Sequence, residues 1–193
     1  MHTKILLARH GETLWNKEQR LQGQLDSPLS ATGMEQAEKL AQALGSYNIS
    51  RIYSSPLNRA YQTALTFAAT CHQDVEVLDA LKERHFGDWQ GRLYQEVQTH
   101  KNFSEIFKQV TDIPPPNGES ALQAQQRILN ALKSLAFQHK QQTVLVVTHG
   151  DLIRSLCALF TQETFCDAYS QYGNGQFLTL LFDHQSHRFQ SIA

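Results

Sequence analysis

Apolar residues along this chain fall into two kinds of pattern, and their alternation predicts most of the secondary structure. Ile5, Leu6, Leu7 and Ala8 form one unbroken apolar run, and Val144 to Val147 form another inside 143–148. Continuous runs of this length are expected of strands buried on both faces of a largely parallel sheet. Further short strands are expected at Arg51–Ser55, Val75–Leu78 and Gln176–Phe182, the last with 187–192 as its partner.

Between these runs the period changes to that of a helix. Ala37, Leu40, Ala41 and Leu44 recur behind Thr32-Gly-Met-Glu35, which reads as a capping box, and Gly45 stops the helix. Ser55-Pro56 is expected to open a second helix, with Leu57, Ala60, Tyr61, Ala64 and Ala68 as its buried stripe. Ser120-Ala-Leu-Gln123 opens a third, running to about Lys140 with Ile128, Leu132, Leu135 and Ala136 on one face. Leu152, Ile153, Leu156 and Phe160 mark a fourth. Residues 81–91 fit neither period, 93–110 read as one or two short helical pieces, and three prolines make 111–118 a loop. Strands alternating with helices in this way predict a three-layer α/β/α sandwich with a mostly parallel central sheet. In such sheets ligands bind beyond the carboxyl ends of the strands.

Composition narrows the class without naming a chemistry. At 193 residues the chain fits one domain that can bury its core without disulfides or metals. A net charge of -1 and a pI near 6.7 leave no positive excess for a nucleic-acid backbone. Cys71, Cys157 and Cys166 are an odd count with no metal-type spacing, as in a reduced, cytoplasmic protein. The run before Arg9 is too short for a signal segment and no later run matches a membrane span, so the expectation is a soluble, unprocessed chain.

The first pointer to chemistry is a repeat: two predicted strands end in Arg9-His10-Gly11 and Thr148-His149-Gly150. Parallel pairing would bring both imidazoles to one edge of the sheet, and a glycine after each would let backbone N–H groups approach an anion. The helix after His149 would point its positive end into the same crevice. Each histidine alone reads more readily as a hydrogen-bonded core or rim residue than as a catalytic one. Arg9, after four apolar residues, needs an anionic partner, which is either a ligand or an internal carboxylate. Arg59 lies about two residues off the stripe begun by Leu57. It is expected to project away from the core near its helix N-terminus, as a surface residue or as a second, bidentate phosphate grip. Glu83 has a salt bridge to Lys82 or Arg84 as its plain alternative. Trp15 and Trp89 are either cleft walls or packing. His85, His100, His139, His184 and His187 show no ligand spacing for zinc.

The segments "RHGETLWN", "QGQLDSPLSATGMEQA", "SSPLNRAYQTA", "ERHFGDWQG", "PPNGES" and "VVTHGDLIRSL" occur in order from residue 5 to about 157. Together they resemble the histidine phosphatase superfamily, also called the phosphoglycerate mutase-like fold. The resemblance implies a single domain over 1–193 with a lid-like insertion around 84–118. It also implies a phosphomonoesterase that needs no metal or other cofactor and acts on a small-molecule phosphomonoester. His10 would be the nucleophile, and Arg9, Arg59 and His149 would complete the phosphate pocket. Glu83 would be the proton donor, Asn16 a further phosphate contact, and Gln22 and Gly23 the substrate side. Gly11 and Gly150 would offer backbone to the ligand.

Two other readings of the same resemblance are a phosphoglycerate mutase and a catalytically idle module that binds phosphorylated partners. Mutases of the family carry a basic insertion after the "ERHFG" motif. Here 66 positions separate Glu83 from His149 (149 minus 83), and 93–118 hold just Lys101 and Lys108, which favours a phosphatase. The idle module would have lost the nucleophile or the acid, and this chain keeps both.

Overall fold

A computed structural model describes residues 1–161 and 172–192. Among them six strands form one sheet: β1 (His2–Arg9), β2 (Ile49–Ser54), β3 (Val75–Val77), β4 (Thr143–Thr148), β5 (Phe177–Asp183) and β6 (Arg188–Ile192). Their order across the sheet is β3-β2-β4-β1-β5-β6. β1, β2, β3 and β4 pair in parallel, whereas β5 and β6 run antiparallel at one edge. The mostly parallel sheet expected from the unbroken apolar runs is what forms.

Alternate residues of the central strands feed two separate cores. Ile5, Leu7, Val144 and Val146 pack with Ile128, Leu132, Ile153 and Leu156, from helices α5 (Ala121–Gln138) and α6 (Gly150–Thr161). Leu6, Ala8, Leu145 and Val147 pack with Leu40, Leu44, Ala60, Ala64 and Phe67, from α2 (Ala31–Leu44) and α3 (Asn58–Cys71). Two helices therefore cover each face, the three-layer arrangement. Short helices α1 (Leu14–Lys17) and α4 (Tyr94–Val97) lie in the connecting segments. Residues 84–118 carry a third apolar cluster of Phe86, Trp89, Val97, Phe103 and Ile106, with a π-helical turn at Ser104–Lys108. No helix of the described residues is long and apolar enough to cross a membrane.

Two helix starts differ from expectation. α2 begins at Ala31 and its cap is Ser30, whose Oγ accepts from the Gly33 N–H, so Thr32 lies inside the first turn. Ser30 is drawn into the cap because its Oγ also donates to Glu12 Oε1 and its N–H to the Glu12 carbonyl. α3 begins at Asn58 with no cap from its own sequence. Its first amides, of Asn58 and Arg59, instead donate to the Asp26 carboxylate from a distant loop, which satisfies orphan donors at the positive helix end. Ser120 caps α5 as expected.

The backbone after β1 is pressed against α2. A Cβ on Gly11 would lie 2.3 Å from the Gly33 carbonyl oxygen, and one on Gly33 would lie 1.9 Å from that of Glu12. Gly33→Ala is therefore expected to destabilise the protein by about 1–3 kcal/mol, the usual range for overpacking. Urea unfolding with an unchanged midpoint would show that this contact relaxes freely.

Candidate active site

The register of β1 against β4 pairs Arg9 with Thr148. One residue further on, the His10 N–H donates to the Thr148 carbonyl at 3.1 Å, and the rings of His10 and His149 meet with centroids 5.2 Å apart. Nδ1 of His10 lies 2.7 Å from the Gly11 carbonyl. A carbonyl can only accept, so the proton sits on Nδ1 and the lone pair is left on Nε2. Burial, then the Arg59 and Arg9 guanidiniums, hold the His10 imidazole well below its ordinary pKa, so the ring is neutral.

His149 is fully buried behind His10. Its Nε2 meets Ser55 Oγ at 2.8 Å. Ser55 Oγ also accepts from the Leu57 N–H, and as a hydroxyl it can donate to His149 Nε2 or accept from it. His149 Nδ1 is buried and has no hydrogen-bond partner among the described residues. Burial, then Arg59, His10, Arg9 and Arg127, keep this ring neutral too.

Arg59 does not project to the surface. It is 1% exposed, because residues 22–27 fold over the start of α3 and cover it. Its guanidinium donates to the carbonyls of Gly23 (2.7 Å) and Leu25 (2.9 Å) and to Asp26 Oδ1 (3.1 Å). The wheel built from Leu57 considered only packing on the sheet, and the actual buried face is Arg59, Ala60, Thr63, Ala64, Phe67 and Ala68. Arg9 donates to the Tyr172 carbonyl at 3.3 Å.

Glu83 makes no salt bridge with either neighbour. Lys82 pairs with Asp79, and Arg84 pairs with Asp151. Glu83 Oε1 instead accepts from the Arg84 N–H (2.9 Å), and Oε2 from the Asp151 N–H (3.2 Å) in the first turn of α6. The positive end of α6 thus meets this carboxyl. Burial and the Asp151 carboxylate raise the Glu83 pKa above its ordinary value against the pull of these N–H groups and of Arg59.

Arg9, His10, Asn16, Gln22, Gly23, Arg59, Glu83 and Gly150 all line one cavity of about 320 Å³. Gly11 and His149 stand behind its wall. Gly11 serves chain packing rather than anion approach, because its N–H donates to Thr63 Oγ1 at 3.0 Å. Asn16 accepts on Oδ1 from the Thr13 N–H and hydroxyl, closing the capping box of α1. Gln22 keeps a buried Oε1 without a partner. Gly23 holds φ +54°, and a Cβ there would meet Gln90 Oε1 at 2.2 Å. The other walls are Arg20, Leu21, Phe86, Tyr94 and Phe107. Trp89 is packing, tilted against Phe103 and edge-on to His100, and Trp15 lies under Arg20. No group of three or more His, Cys, Asp or Glu among the described residues is arranged to hold a metal.

Several contributors escaped sequence reasoning: Asp26, Ser55, Thr63, Asp151 and the aromatic walls. Asp151 alone had a local signal, since Asp151 and Arg154 form an i,i+3 charge pair on an otherwise apolar helix.

A family model for the histidine phosphatase superfamily (branch 1) matches residues 5–193. The chain is 43% identical over 163 residues to phosphoglycerate mutase-like protein 4 of Arabidopsis thaliana, covering 80% of this chain and 70% of that one. It is 42% identical over 168 residues to the metal-independent phosphoserine phosphatase of the same plant, covering 84% and 70%. Among solved structures, YhfR of Bacillus stearothermophilus superposes with a TM-score of 0.89 at 32% identity, covering 99% of this chain and 96% of that one.

Because both rings are buried neutral, His10 is expected to stay uncharged in its Nδ1–H form down to pH values well below those of an exposed histidine. Nitrogen-15 NMR of the imidazoles across a pH series checks this. An imidazolium signal for His10 near neutrality would contradict it.

Proposed function

The chain belongs to the histidine phosphatase superfamily and is a phosphoric monoester hydrolase, and we propose that it works without metal through a phosphoryl group carried on His10 Nε2. The observation that carries this reading is the tautomer: the Gly11 carbonyl holds the Nδ1 proton, so a neutral ring offers its Nε2 lone pair. The substrate phosphate would sit against the Arg9 and Arg59 guanidiniums, with Asn16 at the rim and His149, next to the His10 ring, completing the pocket. Charge stabilisation of this kind is most of what phosphoryl transfer requires.

In the first step Nε2 forms a bond to phosphorus as the ester P–O bond breaks. Glu83 gives its proton to the departing oxygen, and the positive charge gained by the ring is steadied by the Nδ1–H bond to Gly11. In the second step Glu83, now a carboxylate, takes a proton from water as that water attacks the phosphohistidine. Phosphate leaves, and His10 and protonated Glu83 are restored. The raised Glu83 pKa suits the first half of this cycle, in which acid help is typically worth about 10²–10⁴-fold.

We read 84–118 as the lid of a single domain, since it supplies Phe86, Tyr94 and Phe107 to the leaving-group side of the cavity. A cavity of about 320 Å³ suits a small phosphorylated metabolite, and phosphoserine, named in a relative, is the first to assay. Transfer to water is favoured over return to the substrate. A mutase must keep hold of its carboxylated alcohol, and Lys101 and Lys108 are both exposed away from the cavity. Arg20, the cavity's remaining cation among the described residues, is paired with Glu18 at 3.0 Å.

His10→Ala is expected to abolish turnover and acid-labile phosphate labelling of the protein; retained labelling would remove His10 as the nucleophile. Glu83→Gln should slow benzyl phosphate, which leaves as an alkoxide, at least about 100-fold. Nitrophenyl phosphate, with its better leaving group, should lose far less, and equal losses would take Glu83 out of the acid role. As Glu83 must be protonated, kcat/KM for the benzyl ester should fall as pH rises through its raised pKa. Activity should also survive exhaustive chelation, and a requirement for added metal would contradict this cage.

A further inference from the structure

Three charged side chains lie together behind Glu83 with almost no exposure: Arg84 and Asp151 at 0%, and Arg154 at 2%. Asp151 sits between the two guanidiniums, with Oδ1 2.8 Å from Arg154 Nε and Oδ2 3.4 Å from Arg84 Nη1. Buried ion groups of this kind cost much desolvation, and well-packed apolar residues often do as well or better for stability. What this group holds is more informative than its net energy.

On one side the backbones of Arg84 and Asp151 supply both hydrogen bonds to the Glu83 carboxyl. On the other, the two arginines reach the π-helical turn 104–108. Arg84 Nη1 donates to the Ile106 carbonyl at 2.8 Å, and Arg154 Nη1 to the Lys108 carbonyl at 3.2 Å. Between those two carbonyls stands Phe107, a wall of the cavity. Such π-turns are rare and recur at functional sites.

We propose that the Arg84–Asp151–Arg154 group is a positioning unit that fixes Glu83 and Phe107 relative to one another on the leaving-group side of the cavity. The proposal rests on Glu83 being the proton donor. The charged and titratable groups around Glu83 are Asp151 and Arg154 from α6, and Arg59 from α3. Arg9 ends β1 and His10 follows it, His149 follows β4, Arg127 comes from α5 with its partner Glu119, and Lys82 and Arg84 are the chain neighbours. Asp151 favours the proton on Glu83 and Arg59 opposes it. The two flanking arginines set how much of the Asp151 charge Glu83 experiences.

Opposite pH effects follow from the two ends of the group. Asp151→Asn leaves two guanidiniums without their carboxylate, so Glu83 loses its proton earlier as pH rises. The alkaline limb of kcat/KM for benzyl phosphate should move to lower pH, with about a tenfold loss at a pH on that limb. Arg154→Met keeps an apolar stem but leaves Asp151 less neutralised, so the limb should move to higher pH. In both variants nitrophenyl phosphate should change far less than the benzyl ester. The measurement is the ratio of the two kcat/KM values against pH, for the full chain and both variants, with Glu83→Gln as reference.

Limbs that separate in opposite directions would establish the unit. Limbs that coincide with wild type, or move the same way, would make the group structural and overturn the proposal. If Glu83→Gln fails to discriminate the esters, the acid assignment falls and this inference with it. If Glu83→Gln discriminates and the limbs do not separate, this inference alone falls. Should Asp151→Asn not fold, the upward shift in Arg154→Met decides.

Discussion

Because Arg9 lies opposite Thr148 in the parallel ladder between β1 and β4, the residues one step further, His10 and His149, must leave the sheet side by side. A slip of one residue would turn the side chains of β1 to the opposite faces, placing Ile5 and Leu7 among α2 and α3. Such a slip would also take His10 away from His149, so the packing of both faces and the site share one register. β2 ends on the same edge, with Ser54 opposite Val147, and so delivers Ser55 to His149. Core packing and site geometry are two consequences of one hydrogen-bonded ladder.

Around that edge the chain buries charge that an apolar core would not tolerate alone. Arg59 donates to loop carbonyls and to Asp26, and Glu83 accepts from two backbone N–H groups, one from the start of a helix. This environment separates the titration of the two groups that the proposed reaction needs in opposite states. Burial and nearby arginines disfavour a second proton on His10, while burial and a nearby carboxylate favour one on Glu83. Low polarity drives both toward neutrality, and neutral is the state each needs at the start of the cycle.

Much of the fold was legible because its main elements bury whole faces. The runs at 5–8 and 144–147 fit buried strands, and Ala37, Leu40, Ala41 and Leu44 fit a packed helix face, and all of them are buried in the fold. What misled was local chemistry that long-range contacts override. Thr32 fits a capping box as well as Ser30 fits a cap, but Ser30 also binds Glu12. Arg59 looks solvated on a wheel drawn from Leu57, yet the 22–27 loop covers it. Gly11 looked like clearance for an anion, whereas its missing Cβ makes room for Gly33 and its N–H is taken by Thr63.

By itself, the sequence determined the alternation of strands and helices and the placing of a His-Gly pair at the ends of two strands. Those are properties of composition and spacing, which survive without knowledge of partners. Tertiary structure alone decided which nitrogen of His10 carries the proton, that Glu83 is held by backbone rather than by a neighbouring cation, and that Arg84, Asp151 and Arg154 meet. Proton position and pKa depend on what surrounds a group in space, and the carbonyl of Gly11, the hydroxyl of Ser55 and the first turn of α6 come together only once the sheet has closed.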